Sequence, residues 1–161
     1  ETTAKNTWAL GDSAGKFLFK HSANLEAEYV YYNAILSKKM KVDYMAMPHA
    51  IFSSPQVAGV GMREQDLREK KMDYAVGRYE YIKSGMGLAL QDNEGFAKIF
   101  AGRKTRKILG CHILGTDASI LIHEVIVAMK AGLAVDAISN AVHVHPALSE
   151  VVQRAVNNIE W

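Results

Sequence analysis

The sequence predicts an α+β fold in which a mainly antiparallel sheet packs against helices. Two observations predict this class. Segments rich in β-branched and aromatic residues occupy the middle of the chain, and helix-like segments follow them from residue 119 to residue 156. Runs of strands followed by runs of helices are typical of α+β domains. With 161 residues, 49% of them hydrophobic, the chain can bury one substantial core and a short additional segment.

The N-terminal segment predicts a strand, a turn and a helix. Residues 7–10 are apolar and end at Gly11-Asp12, which indicates a short buried strand before a turn. Residues 20–38 contain few helix breakers, and their larger apolar residues have helical spacing, so we expect a helix there. These spaced residues are Leu25, Tyr29, Tyr32 and Leu36. A new unit should begin near Tyr44, which divides the chain into domains 1–43 and 44–161.

The second domain should contain the sheet. Residues 45–60 carry β-branched and aromatic residues with two prolines, which indicates extended chain. Residues 73–83 predict an aromatic-edged strand. Two further strands, 95–101 and 108–114, are joined through a small basic cluster at 103–107, so we expect a hairpin with a solvated tip.

Four segments of the second domain predict helices. Residues 63–71 are charged and should form an exposed helix. Residues 119–131 are apolar on nearly every side, and such a helix is buried in a core or against another subunit. Shorter helices are expected at 135–141 and at 146–156, the latter with Pro146 as its first residue.

Composition excludes several classes of function. The net charge is only +2, from 19 basic and 17 acidic residues, so no nucleic-acid partner is expected. No apolar run approaches the roughly 20 residues that span a bilayer, and no segment resembles a secretory signal. A single cysteine, Cys111, excludes an internal disulfide and a redox-active cysteine pair within the chain. It fits a reducing, cytoplasmic compartment and has the character of a small buried hydrophobe.

The segment around His145 and Pro146 is the strongest candidate for chemistry. The proline restricts the backbone of His145, and Glu150 follows five residues later, within possible reach of the imidazole. A histidine beside a carboxylate suits proton exchange near neutral pH. On these residues alone, a helix start that happens to carry a histidine explains the pattern equally well.

A metal site is the competing interpretation of the histidines. His143 and His145 would project from one face of a strand, and His49, His112 and His123 could supply further ligands. The candidates are poorly clustered, and no Cys/His pair has zinc-finger spacing. The sequence therefore predicts no metal site.

Three ordered stretches carry a resemblance to a known family. The run from His143 to Glu150 resembles the C-terminal His-Pro-x-x-x-Glu element of the pyridine nucleotide-disulfide oxidoreductases, which are flavin-dependent disulfide reductases. It is most similar to that of dihydrolipoamide dehydrogenase and departs from it at Ala147, where threonine is usual. Residues 48–61 resemble the start of the family's interface (dimerisation) domain. Residues 7–12 and 16–21 resemble the end of its FAD-binding domain.

The resemblance implies roles for five residues. His145 would be the acid/base catalyst for a dithiol substrate, and Glu150 would orient and support its imidazole. Asp12 would bind the ribityl hydroxyls of FAD, and Leu18 and Phe19 would present backbone amides to the flavin. The family also implies a cis His145-Pro146 bond.

The resemblance also implies that the chain is a piece of a larger enzyme. It begins without an initiator methionine and contains no Gly-x-Gly-x-x-Gly motif. The intact enzyme would use FAD and NAD, act on a lipoyl dithiol and be a homodimer. The isolated fragment should bind neither cofactor and should be inactive. Two alternatives stay open: a reductase of the mycothione reductase type or another thiol-disulfide reductase, and a non-catalytic, stand-alone dimerisation module.

Overall fold

A computed structural model describes residues 1–161 as two units, Glu1–Tyr44 and Met45–Trp161. The domain boundary expected from the sequence lies one residue earlier. The units are described separately below.

The first unit contains a 3-10 turn and one helix. The turn covers Gly11–Ala14, and α1 covers Lys20–Val30 and continues as a π-helical turn over Tyr31–Ile35. The predicted helix is confirmed, although it ends before residue 38. The predicted strand at residues 7–10 is wrong, because no other strand pairs with this segment and it has no regular structure.

The second unit is built on a five-stranded sheet in the order β1-β2-β5-β4-β3. Its strands are β1 Pro48–Ile51, β2 Gln56–Gly61, β3 Tyr74–Glu80, β4 Phe96–Gly102 and β5 Ile108–Gly115. Every neighbouring pair is antiparallel, which confirms the predicted fold class. The predicted hairpin is β4–β5, and the predicted third strand is shorter because residues 81–83 turn into a 3-10 helix.

The helices of the second unit are α2 Glu64–Glu69, α3 Gly85–Ala89, α4 Ala118–Lys130, α5 Asp136–Ser139 and α6 Glu150–Asn157. The core lies where α4 packs on β2 and β5 and where α6 packs on β3 and β4. Its fully buried members include Val60, Ile99, Cys111, Val125 and Val151. Each strand contributes alternate residues to this face, which is the two-residue periodicity expected of a half-buried antiparallel sheet.

The start of α6 differs from the prediction. Pro146 lies outside the helix, and Glu150 is its first residue. Residues 147–149 instead form turns closed by hydrogen bonds of the i→i−3 kind, including Val151 N to Leu148 O at 3.0 Å. Among the helices, none combines the length and the apolar character that crossing a bilayer demands.

Candidate functional site

The structure brings His145 and Glu150 together. Nδ1 of His145 lies 3.0 Å from Oε1 and 3.0 Å from Oε2 of Glu150. The carboxylate side chain is only 11% exposed, whereas the histidine side chain is 73% exposed. The site therefore consists of a buried carboxylate that holds one edge of an imidazole whose other edge faces outward.

Hydrogen bonds keep Glu150 in the ionised form and so select the tautomer of His145. The bond from His145, followed by the bond from the backbone N–H of Ala147 at 3.1 Å, lowers the pKa of the Glu150 carboxyl. An ionised carboxylate only accepts hydrogen bonds, so Nδ1 must carry the hydrogen. In the neutral imidazole the lone pair then lies on Nε2, the nitrogen that has no partner in the chain. This arrangement can accept or donate a proton at Nε2.

Local structure fixes the position of both side chains. Glu150 is the first residue of α6, and its carboxylate bonds the N–H of Ala147 while its own N–H bonds the Ala147 carbonyl at 3.3 Å. The His145-Pro146 peptide bond is cis, as expected from the family resemblance. A Cβ on Gly85, at the start of α3, would lie 3.6 Å from Cε1 of His145, so the ring packs beside this glycine.

A second histidine–carboxylate pair lies two residues before His145. Nε2 of His143 is 3.0 Å from Oε2 of Glu124, and Nδ1 is 3.1 Å from the carbonyl oxygen of Ala141. A carbonyl oxygen only accepts hydrogen bonds, so Nδ1 of His143 carries a hydrogen. The contact between Nε2 and Oε2 of Glu124 needs a second hydrogen, which either His143 or Glu124 can carry. Burial raises the pKa of Glu124, and the bond to His143 opposes that effect. The pair fixes the loop before His145 to α4.

Sequence reasoning missed Glu124, because it lies 19 residues from His143 and nothing in its local spacing marks it. It also missed Gln153 of α6, whose amide donates to the carbonyl oxygen of Ala141 at 2.8 Å. Together these two side chains attach α4 and α6 to the loop that presents His145.

The three residues expected at the flavin lie in the first unit. Asp12 is exposed within the 3-10 turn, and Leu18 is 65% exposed just before α1. The backbone N–H groups of Leu18 and Phe19 donate no hydrogen bond within the chain, and neither does the Asp12 carboxylate accept one. The two N–H groups are therefore available to donate to an acceptor, and the Asp12 carboxylate is available to accept from hydroxyl groups, as a flavin site requires.

A buried glutamate of α1, which the sequence did not mark, supports this turn. Oε2 of Glu26 accepts the backbone N–H of Gly11 at 2.5 Å, and Oε1 accepts the hydroxyl of Tyr44 at 2.7 Å. Burial, followed by the hydrogen bond to Glu26, raises the pKa of Tyr44 to about 12, so its hydroxyl stays a neutral donor. Glu26 thus holds the glycine that precedes Asp12.

The remaining histidines form no cluster with three or more metal-ligating side chains. His123 is exposed on α4. His49 and His112 lie beside each other on the sheet, with ring centroids 6.1 Å apart.

A known family of protein domains matches the part of the chain that contains His145 and Glu150. The pyridine nucleotide-disulphide oxidoreductase dimerisation domain matches residues 47–156, well over half of the chain. The chain belongs to this family. The match covers all five strands and α2 to α5, together with most of α6 and the His145–Glu150 pair, so the second unit is the family's dimerisation domain.

Three known proteins are similar to this chain. Dihydrolipoyl dehydrogenase 3 of Haloarcula marismortui is 34% identical over 98% of this chain and 33% of its own length. Mycothione reductase of Mycobacterium tuberculosis is 35% identical over 96% of this chain and 35% of its own length. The solved structure of the HOCl-induced flavoprotein disulfide reductase RclA of Escherichia coli is 27% identical, with a TM-score of 0.86 over 96% of this chain and 36% of that one. The chain therefore spans about a third of these members of the family.

Proposed function

We propose that this chain is part of a flavin-dependent dithiol/disulfide oxidoreductase, to which it supplies the dimer interface and a His–Glu acid/base pair. The observation that carries the proposal is the geometry of His145, whose Nδ1 is held by buried Glu150 while Nε2 is free. A pure interaction domain does not require an exposed imidazole with one tautomer selected by a buried carboxylate. Thiol chemistry does, because a dithiol must lose protons to become the attacking thiolate.

Nε2 of His145 accepts the proton of the substrate thiol in this proposal. The resulting imidazolium keeps its Nδ1–H bond to Glu150, whose negative charge lies 3.0 Å away and stabilises the new positive charge. Release of the proton from Nε2 restores the base. Each turnover leaves Glu150 ionised, so its contribution is orientation and electrostatic support.

FAD and NAD are the cofactors of the proposed enzyme. Asp12 and the backbone N–H groups of Leu18 and Phe19 would hold one edge of the flavin, and Glu26 would keep the Asp12 turn in place. The flavin supplies the two-electron chemistry when it is bound. The single cysteine of this chain, Cys111, is buried in the sheet core, so the redox-active cysteine pair must come from outside these 161 residues.

A homodimer is the proposed assembly. One face of α4 lies in the core, whereas Ile120 and Val127 on the opposite face are 65% and 68% exposed. These two residues are seven positions apart and so lie on one side of the helix. An exposed apolar helix face in a domain of the dimerisation family is best explained by the same face of a second copy.

The lipoyl dithiol is our first choice of substrate, with NAD as the electron acceptor. His143 and Ser149 match the dihydrolipoamide dehydrogenase pattern, whereas Ala147 and Val151-Val152 match the mycothione reductase pattern. A mycothiol disulfide is the alternative substrate, and another thiol-disulfide reductase or a stand-alone dimerisation module are the remaining alternatives.

The deciding experiment uses the full-length protein that carries this chain with its flavin and nicotinamide domains. The His145→Gln variant should oxidise dihydrolipoamide about 10²–10⁴-fold more slowly, the usual contribution of general acid–base catalysis. Reduction of its flavin by NADH should change little, because that half-reaction deprotonates no substrate thiol. Val142→Ala, a fully exposed position three residues away, is the control and should retain both rates.

Equal loss of both half-reactions in His145→Gln, or loss of neither, would reject the acid/base assignment. Turnover of mycothiol disulfide with NADPH in place of dihydrolipoamide with NAD would select the alternative substrate while leaving the role of His145 intact.

A further inference from the structure

The outer face of the sheet brings two histidines together over a glycine. His49 on β1 is in register with Gly59 on β2, and Gly59 is in register with His112 on β5. Directly opposed residues of an antiparallel sheet project to the same face. Because Gly59 has no side chain, both imidazoles lean over it from opposite sides.

The nitrogens of these rings converge on one point. An ideal Cβ on Gly59 would lie 2.5 Å from Nδ1 of His112, 2.7 Å from Cε1 of His49 and 2.8 Å from Nε2 of His49, so the Cε1–Nε2 edge of the His49 ring faces this point. A zinc–imidazole bond measures about 2.0–2.1 Å, so to contact one ion near this point Nδ1 of His112 must move by about 0.4–0.5 Å and Nε2 of His49 by about 0.7–0.8 Å. Side-chain rotation of two half-buried residues can provide such a movement.

Hydrogen bonding leaves the correct nitrogen of His112 free. Its Nε2 lies 3.2 Å from the carbonyl oxygen of Met62. A carbonyl accepts only, so Nε2 carries the hydrogen and Nδ1, which faces Gly59, holds the lone pair.

Burial lowers the pKa of both rings. Burial is the main cause that lowers the pKa of His49, and the charges of His112 and Arg63 add to it. Burial is also the main cause that lowers the pKa of His112, although the hydrogen bond to the Met62 carbonyl acts in the opposite direction and raises it. The nearby cations are themselves paired, Arg63 with Asp66 at 2.7 Å and Lys98 with Glu64, so they oppose a bound ion only weakly.

We propose that His49 and His112 form a two-histidine site over Gly59 for a divalent first-row transition-metal ion, with water in the remaining coordination positions. Two imidazoles and no carboxylate suit Cu²⁺, Ni²⁺ and Zn²⁺ and do not suit Mg²⁺ or Ca²⁺. Affinity should be highest for Cu²⁺ among these ions. The site is separate from His145 and Glu150, and it does not depend on the function proposed above.

The test is a calorimetric titration of the 161-residue chain with CuCl₂, repeated with ZnCl₂ and MgCl₂. Binding of one Cu²⁺ per chain is expected, with weaker binding of Zn²⁺ and none of Mg²⁺. His49→Gln and His112→Gln should each weaken Cu²⁺ binding at least tenfold. His123→Gln, which removes an exposed histidine of α4, is the matched control and should leave the affinity unchanged. Electron paramagnetic resonance of the Cu²⁺ complex should show two nitrogen ligands, reduced to one in either variant.

A third variant tests the space between the rings. Gly59→Ala retains both histidines but places a Cβ where the ion would lie, so it should also abolish binding. If this variant does not fold, the two glutamine variants decide alone. Unchanged affinity in both glutamine variants, or loss of binding only when His143 or His145 is replaced, would overturn the proposal.

Discussion

Oε2 of Glu124 lies 3.0 Å from Nε2 of His143, whereas its other oxygen, Oε1, is buried without a hydrogen-bond partner. His143 is thus the only side chain that compensates a carboxyl group from which most water is excluded. The pair joins α4 to the loop that carries His145, so its strength bears on both stability and the geometry of the candidate site.

Replacement of His143 by leucine should destabilise the chain increasingly as the pH rises. Burial raises the pKa of Glu124 above its ordinary value of 4.5, so the folded state holds this proton more tightly than the unfolded state does. Stability therefore falls as the pH rises through that range. Loss of the hydrogen bond from His143 raises the pKa of Glu124 further. The free energy of unfolding should therefore fall by about 2 kcal/mol at pH 7, and by less at pH 4.

Urea unfolding of wild type and His143→Leu at several pH values measures this effect. Val142→Ala is the control, because its side chain is fully exposed and it should match wild type at each pH. If the loss of unfolding free energy in His143→Leu does not change with pH, His143 contributes through packing and not through the charge of Glu124.

Glu150→Gln should show the opposite pH dependence. The pKa of Glu150 lies below its ordinary value of 4.5 because the carboxylate accepts bonds from His145 and Ala147. Because this pKa is lower in the folded state, the ionised Glu150 carboxylate stabilises the protein at pH values above 4.5. The stabilisation disappears as the pH falls through the folded-state pKa. The variant should be about 1 kcal/mol less stable than wild type at pH 7, with a difference that shrinks below pH 4.5. Thermal unfolding across pH 3–7 checks this, and a constant difference would contradict it.

The sheet and α4 could be predicted because their patterns are local. Strands β4 and β5 are bounded by breakers and separated by a short basic tip, and α4 is a continuous apolar run. Residues 7–10 carry the same apolar signal as a strand but have no partner strand, and a pattern in one segment cannot show whether a partner exists. The start of α6 was misplaced because Pro146 satisfies the local rule for a first helical residue, whereas the side chain of Glu150 closes the turn over Ala147.

The candidate site was predictable only where its members are close in sequence. His145 and Glu150 are five residues apart, and a turn brings them into contact. The partners that fix the surrounding backbone act over longer separations, 19 residues for Glu124 with His143 and 15 for Glu26 with Gly11. Such contacts depend on how α1 and α4 pack, which residue spacing does not encode.

Cys111 should be unreactive in the folded chain. It is fully buried on β5, and burial raises the pKa of its thiol, so almost no thiolate forms at neutral pH. We expect no reaction with a thiol reagent such as DTNB until denaturant unfolds the sheet. Cys111→Ser should cost about 1–3 kcal/mol, because it places a hydroxyl in an apolar site, and Cys111→Ala should cost less. Rapid labelling of the native chain would refute the buried position.

The 161-residue chain should bind FAD weakly or not at all. In the proposed enzyme Asp12 and the N–H groups of Leu18 and Phe19 would provide only one edge of the flavin site, and the chain has no Gly-x-Gly-x-x-Gly loop for the pyrophosphate. The purified chain should be colourless, and added FAD should leave its melting temperature unchanged. A stoichiometric yellow preparation with flavin absorbance would show that these residues suffice for binding.

The exposed face of α4 should mediate self-association. Val127 is 68% exposed in the single chain and would be buried if α4 faced a second copy. Val127→Glu would place a charge in that contact and should convert a dimer to a monomer, because an unpaired buried charge is costly. Light scattering over a range of concentrations measures the mass. Leu88→Glu is the matched control, since Leu88 on α3 is similarly exposed at 62% and lies on a different helix. A monomeric wild type at high concentration, or dissociation in both variants alike, would exclude this face of α4 as the contact.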